Sequence, residues 1–345
     1  MKIKVKALFK ICSEILKKHK TSPLIAKKVI EDLLNNDYQG YSSHGILRIL
    51  EYVQAIKDKN ILPNNKPRAT QLTAYTTLID GQKAFGCITK DKVVATLISH
   101  LKTEGFGFVS VINSGHFGRL RNIAAPVSEN GGIVIGFANF SGAGQNVLPY
   151  GGAEGRLCTN PMVFSVPHSF GEPIVLDMST SSIAEGKVRE AYLEKKEVPK
   201  GWLIDKDWQD VTNPEKFYEK VQTAFLSPLG GRESGYKGFG LALITEILAG
   251  ILTGGGYSKR DHRVQGNSAI FIVLSRDIFG QSVHQFQENL QDLLTYIDSS
   301  PIAVGFNNIR IPGLNTNDVT KNNKDKEHIF IPEDLWINIR ELYNK

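Results

Sequence analysis

Cysteine is scarce in this sequence: the 345 residues include only three, Cys12, Cys87 and Cys158, and they lie far apart. An odd number at these separations shows neither a disulfide framework nor a zinc-ligand spacing. A reducing cytoplasm is the simplest setting for such a chain. Long apolar runs are lacking too, since no segment approaches the ~18 uninterrupted apolar residues of a membrane helix. The lysine-rich start has neither the apolar stretch nor the cleavage site of a secretory signal.

Several familiar motifs are also missing. The sequence contains no G-x-G-x-x-G dinucleotide fingerprint, no phosphate-binding P-loop, no H-E-x-x-H zinc motif and no G-x-S-x-G nucleophile elbow. Residues 151–155 are rich in glycine, but without a nucleotide-binding spacing they predict ordinary turns. The sequence therefore predicts no metal site.

Composition is that of a soluble globular protein, with 41% apolar and 22% charged residues. The formal net charge is +6, and nine lysines lie in the first 28 residues. A basic amphipathic helix there would suit a membrane surface or nucleic acid. The apolar stripe of Leu8, Ile11, Ile15 and Leu16 favours instead a helix packed on the body with its lysines in water. We therefore predict neither a nucleic-acid nor a membrane partner.

Apolar periodicity predicts helices at both chain ends and alternating strands and helices between them. The first 60 residues predict three helices, the second starting at Ser22-Pro23 and the third at Ser43. Residues 197–228 predict an ordered excursion or lid, and the polar residues 314–327 a mobile segment. The predicted fold class is α/β (α+β): a helical domain from 1–68 and 296–345, and a central α/β domain from 69–295. Predicted strands lie at 76–79, 106–112, 133–140, 162–166, 174–177 and 269–274. Predicted helices lie at 89–103, 182–194, 238–252 and 282–297; one more ends at 129, and the last begins at 332.

The segment SSHGILRILEYV, residues 42–53, carries the densest functional signal. With Ser43, or Ser42 next to it, as helix N-cap, His44, Arg48 and Tyr52 fall at i, i+4 and i+8 on one helix face. The helix dipole would favour a neutral His44. Guanidinium groups pair with carboxylates through two parallel bonds, and imidazole transfers protons near neutral pH. This face predicts a site for a small carboxylate; the alternative is a solvated helix face.

Three further residues follow strands or glycines. His116 stands between glycines after a strand, where open α/β sheets bind ligands, or is a capped loop histidine. Asp177, followed by hydroxyl side chains, either binds ribose hydroxyls or an imidazole, or caps the next helix. Lys237 lies beside glycines at a predicted helix start, which suits an anion, although a solvated lysine is the ordinary alternative.

Seven segments in order resemble the malate/L-lactate dehydrogenase type-2 family over nearly the whole chain. They are SHGILRILEY, SGHFG, PYGGAEG with CTNP, IVLDMSTSSIAEGK, VPKGWLID with TNP, YKGFGLALITEILAGILTGG, and GFN near residue 305. The resemblance implies a non-Rossmann NAD(P)-binding fold and a homodimer with sites near the subunit interface. It implies His44 or His116 as the acid/base and Arg48 as the carboxylate clamp, with Ser43, Tyr52 and Thr159 beside it. The implied cofactor contacts are Ser141, Asp177, Met178, Ser179, Lys237, Gly238, Ala303, Val304 and Gly305.

We therefore predict reversible hydride transfer between NAD(P)H and a small 2-oxo acid, giving a 2-hydroxy acid such as malate, lactate or ureidoglycolate. NAD is the favoured cofactor and NADP the alternative. His44 is the favoured acid/base because it shares a predicted face with Arg48. Two other functions stay open: reduction of a cyclic imino acid of the piperideine-carboxylate type, and a cofactor-binding homologue without catalysis.

Overall fold

A computed structural model describes residues 1–142, 144–169, 171–259, 266–314 and 327–344. Its centre is a seven-stranded sheet of order β2-β3-β4-β11-β5-β6-β7, in which β3 and β4 are parallel and all other neighbours antiparallel. Buried and less buried residues alternate along its strands, as expected for side chains that point to opposite faces. The strands are β2 (Arg68–Gln71), β3 (Thr76–Asp80), β4 (Phe106–Ser114), β5 (Ile133–Ser141), β6 (Met162–Val166), β7 (Ile174–Met178) and β11 (Gly266–Leu274).

Helices flank this sheet, and many of them bury an apolar stripe against it or against one another. A smaller sheet, β10-β8-β9, occupies the region predicted as an excursion or lid. The helices are α1 (Val5–Lys18), α2 (Pro23–Tyr38), α3 (Ile49–Lys57), α4 (Gly86–Glu104), α5 (Arg121–Glu129), α6 (Glu185–Leu193), α7 (Glu215–Tyr218), α8 (Gly231–Thr245), α9 (Val283–Asp298) and α10 (Glu333–Asn344); the small strands are β8 (Leu203–Ile204), β9 (Asp210–Val211) and β10 (Phe225–Leu226).

The two chain ends share one hydrophobic core. Strand β1 (Lys2–Lys4) pairs antiparallel with β12 (His328–Phe330), a ladder that the sequence pattern did not predict. Leu8 and Ile15 of α1 are fully buried in the same cluster as Leu335 and Ile339 of α10. The predicted stripe of the basic first helix thus packs on the body, while the proposed domain boundaries remain a prediction.

Most predicted elements of the central region are present, but α8 begins earlier than predicted. It starts at Gly231, preceded by Gly230 with φ +98°, and continues into one π-helical segment, Glu246–Ile251. Residues 315–326 of the segment predicted to be mobile lie outside the described residues. None of the described helices combines the length and the apolar character that crossing a bilayer requires.

One edge of the large sheet gathers residues from distant parts of the chain. Strands β4 and β5 both run antiparallel to β11, so their carboxyl ends meet at the same edge. Asn267 at the start of β11 lies opposite Ser114 of β4 on one side and Phe140 of β5 on the other. Because neighbouring strands lie ~4.8 Å apart, the ends of β4 and β5 are separated by ~10 Å. Both ends open into the same cavity.

Candidate active site

The cavity above this edge has a volume of about 760 Å³ and lies between the sheet, the 42–57 segment and α6. Its size falls in the range of small-molecule and cofactor sites. The cavity brings together most of the site residues that the sequence predicts. Those lining it are Ser43, His44, Arg48, Tyr52, His116, Thr159, Asp177, Met178 and Ser179.

The 42–57 segment differs from the single helix that the spacing predicts. Residues Ser42–His44 and Ile46–Arg48 form two 3₁₀ turns, and only Ile49–Lys57 is α-helical. Ser43 makes no N-cap hydrogen bond; its Oγ lies 3.0 Å from Nδ1 of His44. The break falls at Gly45, where a Cβ atom would overlap the Asp37 carboxylate. Asp37 accepts a hydrogen bond from the Ile46 N–H at 2.7 Å, so a neighbouring helix holds this turn.

The two candidate histidines lie together. Their rings stack with centroids 5.7 Å apart and an interplanar angle of 16°. Nδ1 of His116 lies 3.3 Å from the Tyr52 hydroxyl, just as Nδ1 of His44 lies beside Ser43. Within the described part of the chain neither Nε2 has a hydrogen-bond partner. Each ring is therefore oriented through one nitrogen and presents the other for proton transfer.

Both imidazoles are neutral at pH 7. Burial, together with the positive charges of Arg48, Arg119 and Lys187, lowers the pKa of His44 to about 3. Burial, Arg48 and His44 lower the pKa of His116 well below its ordinary value. Burial and neighbouring cations, rather than the predicted helix dipole, are thus the cause.

Arg48 is partly buried and already engaged in an ionic network. Its Nε donates to the Ser43 carbonyl at 2.8 Å, one terminal nitrogen pairs with Glu51 at 2.7 Å, and the other lies 3.5 Å from Glu185. Arg189 pairs with the same two carboxylates. The contact with Glu185 is the longest that Arg48 makes, so it is the one that an incoming carboxylate displaces most readily.

Residues at the end of β7, just after it and in the loop before β6 form another wall. The Asp177 carboxylate accepts the backbone N–H of Arg121 at 2.8 Å, at the start of α5. Asp177 thus caps a helix, which is the alternative role that the sequence predicts for it. The helix that it caps is α5, however, and not the helix that follows β7. The Ser179 hydroxyl donates to the Ser181 carbonyl at 2.9 Å, and the Thr159 carbonyl accepts the Thr180 N–H at 2.9 Å. Met178 lines the same wall.

Other residues expected to contact the cofactor lie away from the cavity lining. Ser141 is buried, and its hydroxyl donates to the Gly266 carbonyl at 3.1 Å. Lys237 is exposed inside α8 rather than at a helix start, and Gly238 packs against the backbone of Leu229. Ala303, Val304 and Gly305 are exposed, Val304 fully. Within this chain alone these residues are not brought together with the histidines.

Sequence reasoning missed a buried polar cluster beside the cavity. Glu246, at the start of the π-helical segment, accepts the Asn139 amide N–H at 2.8 Å and that of Asn160 at 2.9 Å. Ser258 also donates to it, through the backbone N–H at 3.1 Å and Oγ at 2.6 Å. Asn139 and Asn160 both line the cavity. No local motif signals this cluster, because Asn139 and Glu246 lie 107 positions apart in the sequence.

Among the described residues, no group of three or more His, Cys, Asp or Glu side chains is placed to hold a metal ion. The three cysteines are unpaired. Cys158 lines the cavity, and burial raises the pKa of its thiol to about 12, so it stays protonated.

Comparison with known proteins identifies the family of this chain. The sequence profile of the malate/L-lactate dehydrogenase family matches residues 3–340. An L-sulfolactate dehydrogenase of Methanocaldococcus jannaschii is 30% identical over 347 residues, covering 97% of this chain and 94% of that protein. A Δ1-pyrroline-2-carboxylate/Δ1-piperideine-2-carboxylate reductase of Pseudomonas syringae pv. tomato is 30% identical over 240 residues, covering 70% and 67%. The solved malate dehydrogenase of Pyrococcus horikoshii superimposes with a TM-score of 0.84 at 28% identity, covering 100% and 95%. The chain belongs to the malate/L-lactate dehydrogenase family and is an oxidoreductase whose family implies a nicotinamide cofactor.

Proposed function

We propose that this protein transfers a hydride reversibly between NAD(P)H and a small 2-oxo acid, giving the 2-hydroxy acid. The observation that carries the proposal is the stacked pair of neutral imidazoles, His44 and His116, beside the Arg48 guanidinium in one cavity. Relatives named for malate and sulfolactate have the same general substrate chemistry. A reduced nicotinamide, when bound, supplies the hydride.

Arg48 binds the substrate carboxylate in this proposal. The carboxylate displaces Glu185 from its 3.5 Å contact, while Glu51 and the Ser43 carbonyl keep the guanidinium in place. Two parallel hydrogen bonds then fix the orientation of the reacting carbonyl or hydroxyl. Displacing the Glu185 carboxylate offsets part of the free energy that the substrate carboxylate gains at Arg48. The affinity for the substrate therefore depends on how weak the Arg48–Glu185 contact is.

His44 carries the proton. As a neutral base it is ready to accept the hydroxyl proton of a 2-hydroxy acid during oxidation. In the reverse direction it must first be protonated. Burial, and after it the charges of Arg48 and Arg119, depress the pKa of His44, and a bound substrate carboxylate offsets these charges and so raises this pKa. His116, oriented by Tyr52 and stacked on His44, is the alternative acid/base or a residue on the cofactor side.

NAD is the proposed cofactor, with NADP as the alternative. The cavity volume of about 760 Å³ accommodates a cofactor end together with a small acid. Thr159, Asp177, Met178 and Ser179 line its wall and are proposed to contact the cofactor or substrate. The proposal includes a reducing cytoplasm, which the three unpaired cysteines favour.

A homodimer is part of the proposal. Apolar side chains of α8 and the following π-helical segment are exposed, which is unusual for a monomer surface and suits a two-fold interface. Ser141, Lys237, Gly238 and residues 303–305, which stand outside the cavity of one chain, are proposed to contact cofactor at or near this interface. The exposed side chains are Tyr236, Leu241, Leu243, Ile244, Ile247, Ile251 and Leu252.

A screen of 2-oxo acids with NADH and with NADPH, followed at the nicotinamide absorbance, tests the function. We expect turnover of at least one acid. His44→Ala should remove most of kcat while cofactor binding is kept, because the proton carrier is lost and the wall of the cavity is not. Turnover of no 2-oxo acid would overturn the proposal, and a nearly fully active His44→Ala beside an inactive His116→Ala would transfer the proton role to His116.

Reduction of a cyclic imino acid is the second candidate, favoured by the likeness to the Pseudomonas syringae reductase. It needs the same carboxylate contact at Arg48. Adding Δ1-piperideine-2-carboxylate to the screen separates the two functions, since a preference for this compound over every 2-oxo acid selects the second.

A further inference from the structure

Arg119 differs from the other cations of the cavity wall because no carboxylate is in contact with it. Five arginine and lysine side chains line the cavity, and within the described part of the chain four of them make an ion pair while Arg119 makes none. The paired cations are Arg48 and Arg189, which share Glu51 and Glu185, Arg121, which pairs with Glu172, and Lys187, which pairs with Glu190.

The contacts that Arg119 does make hold its guanidinium in place without neutralising it. Cζ lies 3.3 Å from the centre of the Tyr41 ring, and one terminal nitrogen donates to the uncharged Gln39 side chain at 2.5 Å. Arg119 is 6% exposed, and none of its nitrogens is both enclosed and without a partner among the described residues. Because the ring covers only a face of the guanidinium, the N–H groups in its plane stay open for a carboxylate.

The charge of Arg119 persists despite its burial. Burial lowers the pKa of this guanidinium, but an arginine starts so far above neutral pH that it stays protonated. The Asp177 carboxylate opposes this shift from beyond ion-pair distance, while it accepts the backbone N–H of Arg121. Buried charges are normally paired, because removing an unpaired charge from water is costly. A buried guanidinium that a ligand can reach and that has no ion pair indicates a site for an anionic group.

Arg119 and Arg48 contact the same short segment of the chain. Arg119 stacks on Tyr41, and Nε of Arg48 donates to the carbonyl of Ser43. His44 follows directly, and the charges of both arginines act on it. An acid whose carboxylate lies on Arg48 and whose reacting oxygen meets His44 therefore binds next to a second guanidinium.

We propose that Arg119 binds a second anionic group of the substrate, so that the preferred substrates are 2-oxo dicarboxylic acids and their 2-hydroxy counterparts. This inference rests on the proposed function. Arg48 binds the carboxylate next to the reacting carbon, and Arg119 binds the distant one through its open N–H groups. A monocarboxylic acid leaves Arg119 unpaired and therefore binds more weakly.

Two matched pairs of acids test the preference of the wild-type protein. Oxaloacetate is compared with 2-oxobutanoate, and 2-oxoglutarate with 2-oxopentanoate; within each pair a methyl group replaces the distant carboxylate. With NADH or NADPH as the reductant, kcat/KM for the dicarboxylic acid of at least one pair should exceed that of its counterpart by about a hundredfold. No preference for the dicarboxylic acid in either pair would overturn the inference.

Arg119→Gln tests the residue. The ratio of kcat/KM within the preferred pair should fall from about a hundred to near one, while the Kd for the reduced cofactor changes less than about twofold. Lys187→Gln is the matched control, because Lys187 also lines the cavity and also acts on His44 but is already paired with Glu190. It should keep the wild-type ratio. Any effect of either variant on proton transfer is common to both acids and cancels in the ratio.

The outcomes separate this inference from the proposed function. An equal loss with both acids in Arg119→Gln would reduce Arg119 to a structural role, and a raised Kd for the cofactor with an unchanged ratio would assign it to the cofactor's diphosphate. Either result overturns the inference while the proposed function stands. If the wild-type protein reduces no acid of either kind, the proposed function fails as well.

Arg119→Lys serves if Arg119→Gln does not fold. Lysine keeps the positive charge but lacks the planar fork, so the ratio should fall about tenfold rather than disappear. A ratio that stays at the wild-type value would overturn the inference.

Discussion

Arg48 shows how the surroundings of a single residue determine what it can bind. The spacing predicts a guanidinium free to clamp a carboxylate, but the structure places Glu51 at 2.7 Å and Glu185 at 3.5 Å from it. Burying an unpaired guanidinium would cost free energy of folding, so carboxylates of the protein itself stabilise it when no substrate is present. Substrate binding is therefore an exchange of partners rather than the filling of an empty clamp.

Substitutions at this network should affect KM more than kcat. Arg48→Ala should raise KM for a 2-oxo acid by about a hundredfold, equal to two charge-assisted hydrogen bonds, and Arg48→Lys should recover only part of this because it lacks the planar fork. Glu185→Gln weakens the competitor and should lower KM severalfold. Steady-state kinetics with an accepted acid measure all three, and a rise of KM in Glu185→Gln would show that Glu185 helps to bind the substrate.

A short motif brings together several of the sequence-predicted residues that line the cavity. His44, Arg48 and Tyr52 lie within nine positions, so their proximity is local. Glu246 and Asn139 meet only because β5 and the π-helical segment pack together, and no spacing in the sequence records that contact. Burial is also non-local, so the sequence offers only a helix dipole to explain a neutral His44, whereas burial is the main cause of its low pKa.

At the scale of elements, the 42–57 segment is irregular because a neighbouring helix competes for its backbone. The i, i+4, i+8 spacing predicts one helix, but the Asp37 carboxylate of α2 takes the Ile46 N–H, and Gly45 is extended with ψ −151°. The side chains still converge on one cavity because two 3₁₀ turns lead directly into α3. The predicted residues thus line one cavity, although the predicted helix is wrong.

Gly45→Ala tests this arrangement. A methyl group there overlaps the Asp37 carboxylate, so we expect a loss of about 1–3 kcal/mol in the free energy of unfolding and a displaced His44. Chemical denaturation and kcat measure the two effects. Adding Asp37→Ala removes the overlapping group, so the double variant should lose less stability than the sum of the single variants. Strict additivity would show that the two residues do not interact.

The start of α8 is predicted at the wrong glycine. The glycines at 235, 238 and 240 predict a turn before a helix at Gly238, yet the turn lies at Gly230 and Gly231, with φ +98° and +61°. Gly238 is instead needed for close packing against Leu229. A glycine required for close approach cannot be distinguished from a turn glycine without the fold. Six strands of the central sheet, by contrast, are predicted to within a few residues from their apolar patterns. The exposed strand β2 (Arg68–Gln71), which has no buried residue, is not predicted.

At the scale of the whole molecule, the apolar face of α8 is left exposed by the packing of a single chain. Leu243 and Ile244 of α8 and Ile251 of the following π-helical segment are 44%, 49% and 59% exposed. We expect wild-type protein to have a mass of twice 38.2 kDa in light scattering after size-exclusion chromatography.

Ile244→Glu should shift this mass to that of one chain, because a charge would be buried at the interface. Ile337→Glu, at an equally exposed apolar position on α10, is the control and should leave the mass unchanged. A wild-type protein that elutes as a single chain at micromolar concentration would contradict the proposed dimer.

The placement of β11 between β4 and β5 has a consequence for biosynthesis. The two strands whose ends border the cavity are complete by residue 141, but the strand that joins them spans Gly266–Leu274. Until that strand has left the ribosome, the earlier ones expose unpaired edges, and long-range pairing of this kind is slow and prone to aggregation. The nascent chain is therefore unable to bind its ligands for most of translation, and it is during this interval that chaperone protection matters most.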